Sequence, residues 1–176
     1  MTPYTLLVAD IGGTRARFAL LDESGAPDRV RILAVADFPG PAAAIQAYLT
    51  DVGGPALQAA AIALAGPVQD EVVRLTNGTW TFVRANLMAE FGLSRLLLLN
   101  DFTALALSLP QLTAADLHQV GGGVPIERAP KAVLGPGTGL GVSGVLFARG
   151  HWLALTGEGG HCSLAAADAR ESTILA

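Results

Sequence analysis

The sequence predicts an α/β domain in which a β-meander leads into alternating helices and strands, followed by the entry of a second domain. Three observations predict it. Apolar runs of strand length succeed one another from the start of the chain. A segment that begins with proline and ends with glycine, as a helix does, enters only after the third run. Polar residues stand where strands give way to turns or helices. In folds of this class the site lies at the strand ends.

Residues 4 to 9, YTLLVA, read as a buried strand, and the alternation of Phe18 and Leu20 in RARFALLD reads as a second strand after the turn DIGGT. Residues 29 to 36, RVRILAVA, supply a third, and PAAAIQAYLTDVGG carries the proline and glycine of a complete helix. AAAIALAG is a second buried run, EVVRLTN a short polar-edged strand, and RANLMAEFG an amphipathic helix stopped by Gly92. SRLLLLN is another buried strand that runs straight into the helix DFTALALSLP, ended by Pro110. A looser linker, QLTAADLHQVGGGVPIERAP, follows. KAVLGPGTGLGVSGVLFARGHWLAL then reads as two β-rich runs around the turn ARGH. The expected division is a small α/β domain over residues 1–110 and the start of a larger α/β domain over 111–176. ESTILA opens a helical pattern and stops without cap or proline, so the second domain reads as truncated.

Composition excludes several classes. With 176 residues, 51% of them hydrophobic, 21 Gly and 10 Pro, the chain fits buried sheets joined by tight turns, not a disordered tail or a collagen-like fibre. The mean hydropathy of +0.47 is high, yet no apolar stretch reaches the length of about 18 residues that a membrane span needs. Eleven Lys and Arg against fifteen Asp and Glu give a net charge of -4 with the basic residues scattered singly, which removes the electrostatic support for nucleic-acid binding. The start, MTPYTLLVADIGG, has no basic stretch and meets Asp10 early, so a cytoplasmic location is expected. Cys162, the single cysteine, has no partner for an internal disulfide or a zinc site and is expected as a buried or half-buried thiol.

Four short segments carry chemistry. In DIGGT, two residues without side chains let backbone N–H groups close on phosphate oxygens, and Asp10 can hold Mg²⁺ through water; a plain hairpin turn explains the same residues. GPGTGLG is a second glycine loop. Gly139, Gly141 and Gly144 match a dinucleotide fingerprint in spacing, but VSGVLFA after them is strand-like where that motif needs a helix. Asn100 and Asp101 stand at the start of a helix, where either residue is an ordinary cap. Side by side they can also bind neighbouring sugar hydroxyls while the carboxylate takes a proton. In GEGGH, Glu158 and His161 can accept and donate hydrogen bonds to hydroxyls from a glycine-shaped loop, the alternative being a bare surface loop. His118 and His151 have no acidic or cysteine companions. Trp80 in TNGTW reads as packing and Asn77 as a turn residue.

Taken in order, DIGGTRARFAL, LTNGTW, LLLNDFTALALSLP, GPGTGLGV and GEGGH resemble the bacterial glucokinase family of the actin-like sugar kinases, along the whole chain. The resemblance implies an α/β actin-like ATPase (ribonuclease H-like) sugar kinase fold, truncated in the second domain. It also implies a two-domain enzyme that closes over D-glucose and phosphorylates its 6-hydroxyl from ATP with Mg²⁺. Asp101 is then the catalytic base, with Asn100, Glu158 and His161 as further sugar-hydroxyl binders. Ala9, Asp10, Ile11, Gly12, Gly13 and Thr14 form the first phosphate loop, and Gly137, Thr138 and Gly139 the second. No residue is assigned as a direct metal ligand, and a homodimer is compatible with the family. Neither a nucleic acid nor a membrane is expected as a partner.

Two departures stand out. Arg15 occupies the place where the family usually has Asn, which puts that contact in doubt and introduces a charge that can reach a phosphate. Family members also continue for about as long again, supplying another sugar-binding glutamate, most of the adenine pocket and helices over the second sheet. The 176 residues alone are therefore expected to expose apolar surface and to lack glucokinase activity. The rivals are another hexose or amino-sugar kinase of the superfamily and, outside the enzymes, an actin-like ATPase or a sugar-sensing protein. A sugar-responsive regulator on this scaffold is expected to need a DNA-binding helix pair before Asp10, where nine residues stand, and an actin-like ATPase does not call for Asn100, Asp101, Glu158 and His161 together.

Overall fold

The computed structural model describes residues 6–68, 70–136, 139–163 and 165–175. The chain divides into two units, Met1–Ala104 and Leu105–Ala176.

In the first unit, strands β1 (Leu6–Ile11), β2 (Arg15–Leu21) and β3 (Pro27–Ala34) form the meander, and β4 (Ala59–Leu64) and β7 (Arg95–Asn100) complete a five-stranded sheet in the order β3-β2-β1-β4-β7. The first three pair antiparallel. β1 pairs parallel with β4, and β4 parallel with β7. Parallel neighbours need a crossover, and the two helical segments supply them. Helix α1 (Pro41–Asp51) begins with proline in its first turn, and α2 (Arg84–Phe91) ends on Gly92 in the left-handed conformation, as the sequence predicts. The short strands β5 (Val72–Arg74) and β6 (Thr81–Val83) form a separate hairpin. The third strand ends at Ala34, two residues earlier than read, because the chain tightens into a 3₁₀ turn at Val35–Asp37.

The alternation along the strands separates two faces. Leu7, Ile11, Phe18, Leu20, Ile62, Leu64 and Leu98 are buried together with Ile45, Tyr48 and Leu49 of α1. Phe18 stacks on Tyr48 with ring centroids 5.3 Å apart. Trp80 is 1% exposed and donates its indole N–H to the Phe38 carbonyl at 3.1 Å, so the packing expected of it is accompanied by a satisfied polar atom. Burying each such large side chain contributes about 2 to 3 kcal/mol. The opposite face carries Asp10, Arg17, Ala61 and Ala63, with Val30, Ile32 and Leu97 exposed.

The second unit holds three antiparallel strands in the order β10-β9-β8: β8 (Lys131–Pro136), β9 (Leu140–Ala148) and β10 (His151–Leu155). The sequence reads two β-rich runs here. The first of them holds two strands, β8 ending at Pro136 and β9 beginning at Leu140. The turn between β9 and β10 places Arg149 and Gly150 at φ 53° and 83°, the pair of positive values that a two-residue hairpin needs to follow the strand twist. Register sets Ala132, Leu134, Leu153 and Leu155 on one face, and all four are exposed; Ser143 and Val145 on the other are buried. The chain's last described helix is α4 (Ala169–Leu175). No helix among the described residues is long and apolar enough to cross a membrane.

Candidate active site

β7 hands over to helix α3 (Asp101–Ser108) without a loop: Asn100 is the last strand residue and Asp101 the first helical one. α3 ends two residues before Pro110, which lies in the 3₁₀ turn Leu109–Gln111. Asn100 Oδ1 accepts the Thr103 N–H at 3.1 Å, so Asn100 is the helix cap. Its amide donates to the Gly66 carbonyl at 3.2 Å and to Asp101 Oδ1 at 3.0 Å. The Phe102 N–H donates to the same Asp101 oxygen at 2.8 Å. One carboxylate oxygen is thus held by two donors, while Oδ2 accepts no hydrogen bond from the described residues. With the cap position filled by its neighbour, Asp101 keeps a free oxygen at the positive end of α3.

The DIGGT turn closes with the Gly12 N–H donating to the Arg15 carbonyl at 2.9 Å. A Cβ on Gly13 would collide with the Asn77 carbonyl, and Gly78 lies against Gly13 in turn. This packing accounts for the second glycine of DIGGT. The same neighbouring turn donates the Thr76 N–H to the Ala65 carbonyl at 3.1 Å, beside the Gly66 carbonyl that holds Asn100. A short backbone path therefore links the first glycine turn to the Asn100–Asp101 corner. Within the turn segment, Ile11 is fully buried in the core and Ala9 faces it, so both can offer a ligand only backbone, whereas Thr14 and Arg15 are exposed.

Asp10 is not a free carboxylate. Arg17, its register partner on β2, donates to Asp10 Oδ2 at 2.7 Å, with both side chains about half exposed (53% and 52%). Asp10 Oδ1 accepts nothing from the described residues. One hard, solvent-facing oxygen beside a glycine turn fits a water-mediated contact to a Mg²⁺ that brings phosphate oxygens of its own. Among the described residues no group of three His, Cys, Asp or Glu side chains could hold a metal.

In the second unit, Gly137 and Thr138 of the second glycine loop lie outside the described residues; Gly139 precedes β9. GEGGH is a single 3₁₀ turn, Gly159–His161, with the His161 N–H donating to the Glu158 carbonyl at 3.0 Å. A Cβ on Gly160 would collide with the Leu140 carbonyl, and one on Gly159 would press on Val142 at 3.1 Å. These glycines let the turn lie flat on the start of β9. The turn brings Glu158 and His161 together: His161 Nδ1 is 3.5 Å from Glu158 Oε2, with the imidazole 80% exposed. Cys162 next to it is exposed, not buried or half-buried as expected, and the described residues after it are exposed as well. Asn100 with Asp101, and Glu158 with His161, are thus two pairs, one in each unit.

A family model described as Glucokinase matches residues 7–176. The chain belongs to the glucokinase family. The glucokinase of Aromatoleum aromaticum is 48% identical over 177 residues, which cover 98% of this chain and 53% of that protein. That of Paramagnetospirillum magneticum is 49% identical, over 97% of this chain and 54% of that one. The crystal structure of a glucokinase from an Antarctic psychrotroph superposes with a TM-score of 0.83 at 35% identity, covering 97% of this chain and 55% of that chain. The chain spans about half the length of the curated relatives it matches. The fold is the actin-like ATPase fold of the sugar kinases, as the sequence implies.

Sequence reasoning on this glucokinase-family chain missed Arg17 and the Gly66 carbonyl. Arg17 carried a signal: a basic residue seven positions after Asp10, across the three-residue turn 12–14, is where register pairs it with the carboxylate. Gly66 carried none, since its role rests on a carbonyl.

Proposed function

We propose that the whole polypeptide carrying this sequence is a cytoplasmic glucokinase that transfers the γ-phosphoryl group of ATP to the 6-hydroxyl of D-glucose. The observation that carries the reading is the state of Asp101: one oxygen is fixed by the Asn100 amide and the Phe102 N–H, and the other is open at a strand end. A carboxylate held this way keeps its orientation while its open oxygen accepts the proton of the attacking hydroxyl. As that proton leaves, the sugar oxygen bonds to the γ-phosphorus in line with the departing β-phosphate oxygen, giving glucose 6-phosphate and ADP.

The other residues divide the remaining work. Asn100 spends its amide on Gly66 and Asp101, so its Oδ1 is the atom left to accept a sugar hydroxyl alongside Thr103. Glu158 and His161 supply an acceptor and a donor for further hydroxyls. Backbone N–H groups of residues 13–14 and 137–139, with the exposed Thr14 hydroxyl, receive the ATP phosphates. Asp10 would hold Mg²⁺ through water, and the ion would neutralise charge on the phosphate oxygens.

The test is Asp101→Asn in the whole polypeptide, with glucose 6-phosphate formation and glucose binding measured separately. Asn keeps the shape and removes the proton acceptor. The expected result is a loss in kcat of about 10² to 10⁴ with glucose binding retained; wild-type turnover would refute Asp101 as the base.

A further inference from the structure

Outside the residues discussed so far, the segment before β8 closes over the aromatic end of the β9–β10 hairpin. Phe147 and Trp152 are register partners whose rings meet edge to face with centroids 5.3 Å apart. The Arg128 guanidinium stands over Phe147, 4.8 Å from the ring centroid, and the Lys131 ammonium over Trp152 at 5.7 Å. These four side chains and Ile126 line one groove of about 570 Å³, a volume within the range of small-molecule sites. The sequence scatters its basic residues singly; here the fold brings two of them to one cavity.

The groove's charge points to an anion. Its only acidic lining residue is Glu127, whose Oε1 lies 3.4 Å from Arg128 Nε and whose side chain is 87% exposed. Two cations therefore face one solvated carboxylate. A guanidinium stacked on a ring engages it through its planar face and leaves the N–H groups at its own edge to donate. Arg128 also sits at φ 61°, a conformation uncommon for a residue with a side chain, and such outliers concentrate where a side chain is being aimed. A monoanion would exchange one weak contact, to Glu127, for another. A dianion gains both cations at once. The apolar wall of Ile126 and the two rings adds nothing for a bare ion but covers a carbon skeleton.

We propose that this groove binds a small phosphomonoester, with its phosphate bridging Arg128 and Lys131 and its carbon body against Ile126 and the Phe147–Trp152 pair. Glu127 is then the group the phosphate displaces, so it weakens binding.

The test uses the whole polypeptide and two probes, phenyl phosphate and inorganic phosphate, followed by tryptophan fluorescence with Trp152→Phe to assign the signal. Phenyl phosphate is expected to give a saturable change that Trp152→Phe abolishes and to bind more tightly than inorganic phosphate. The Arg128→Gln/Lys131→Gln pair is expected to weaken it by about tenfold or more, since charge-assisted contacts are the strong ones. Glu127→Gln is expected to tighten it. All of these replace exposed or half-exposed charges, and an unchanged melting temperature certifies the fold. No Trp152-dependent change at millimolar probe, a change the double variant leaves intact, or equal affinity for both probes would each overturn the proposal.

Discussion

Asn100 is the residue whose replacement separates stability from catalysis most cleanly. Its side chain does two jobs: Oδ1 caps α3 through Thr103, and the amide holds Gly66 and Asp101 Oδ1. Ala removes both, whereas Ser keeps an oxygen that caps well and loses only the donor. Loss of the cap costs about 1 kcal/mol, and loss of the bond to the partly buried Gly66 carbonyl about 1 more. Asn100→Ala should therefore destabilise by about 2 kcal/mol and Asn100→Ser by about half of that. In catalysis the two should be alike. Each leaves Asp101 Oδ1 held by the Phe102 N–H alone, free to swing away from the attacking hydroxyl, and kcat should fall about ten- to a hundredfold in both. Thermal unfolding and steady-state kinetics of the whole polypeptide measure these. A Ser variant with wild-type kcat and only a raised KM for glucose would refute the positioning argument, because the amide would then serve the sugar alone. Equal stability of the Ala and Ser variants would refute the cap.

Gly160→Ala places a methyl group on the Leu140 carbonyl and must move the turn that carries Glu158 and His161; overpacking of this kind costs about 1 to 3 kcal/mol. Calorimetry should show weakened glucose binding, and unchanged affinity would mean the turn is not part of the sugar site. Gly13→Ala meets the Asn77 carbonyl in the same way, and the expected outcome is a raised KM for ATP with little change in that for glucose. Burial pushes the Tyr48 phenol up to about 12, against the lowering by Arg31 and Arg29. A folded-state value above the unfolded one gives stability that is complete below pH 10 and lost as the pH rises through 10 to 12, up to about 2 kcal/mol. Alkaline titration of unfolding free energy should show that loss, and Tyr48→Phe should flatten it.

Much of the first unit was legible because its signals are periodic or steric. Strand alternation placed Phe18 and Leu20 on the buried face, proline opened α1 and Gly92 closed α2, none of which depends on distant residues. The placement of Asn100 and Asp101 at a strand end was legible too, since they sit where a buried run meets a helix. Long-range pairing was harder to see. Asp10 looks like a bare carboxylate until antiparallel register sets Arg17 beside it, and the β-rich stretch from Lys131 looks continuous until β8 and β9 are seen to pair antiparallel. Exposure misled at Cys162 because a small apolar thiol suggests burial, whereas the described residues after the 3₁₀ turn are all exposed.

The glycines explain why motifs of this kind can be read for function and for packing at once. In DIGGT and GEGGH the missing Cβ is required by a neighbouring backbone: the Asn77 carbonyl at Gly13 and the Leu140 carbonyl at Gly160. Neither collision involves a ligand. The contacts nonetheless place each turn. Gly13 seats the first turn on residues 76–78, whose other side reaches Ala65 and so the Gly66 carbonyl that Asn100 holds, and Gly160 seats the second on the first residue of β9, just past the second glycine loop. A side chain at either position would displace groups that never touch it. In the proposed kinase these glycines would act on phosphate or sugar through the position of whole turns, so their replacement should be read in KM and affinity before it is read in kcat.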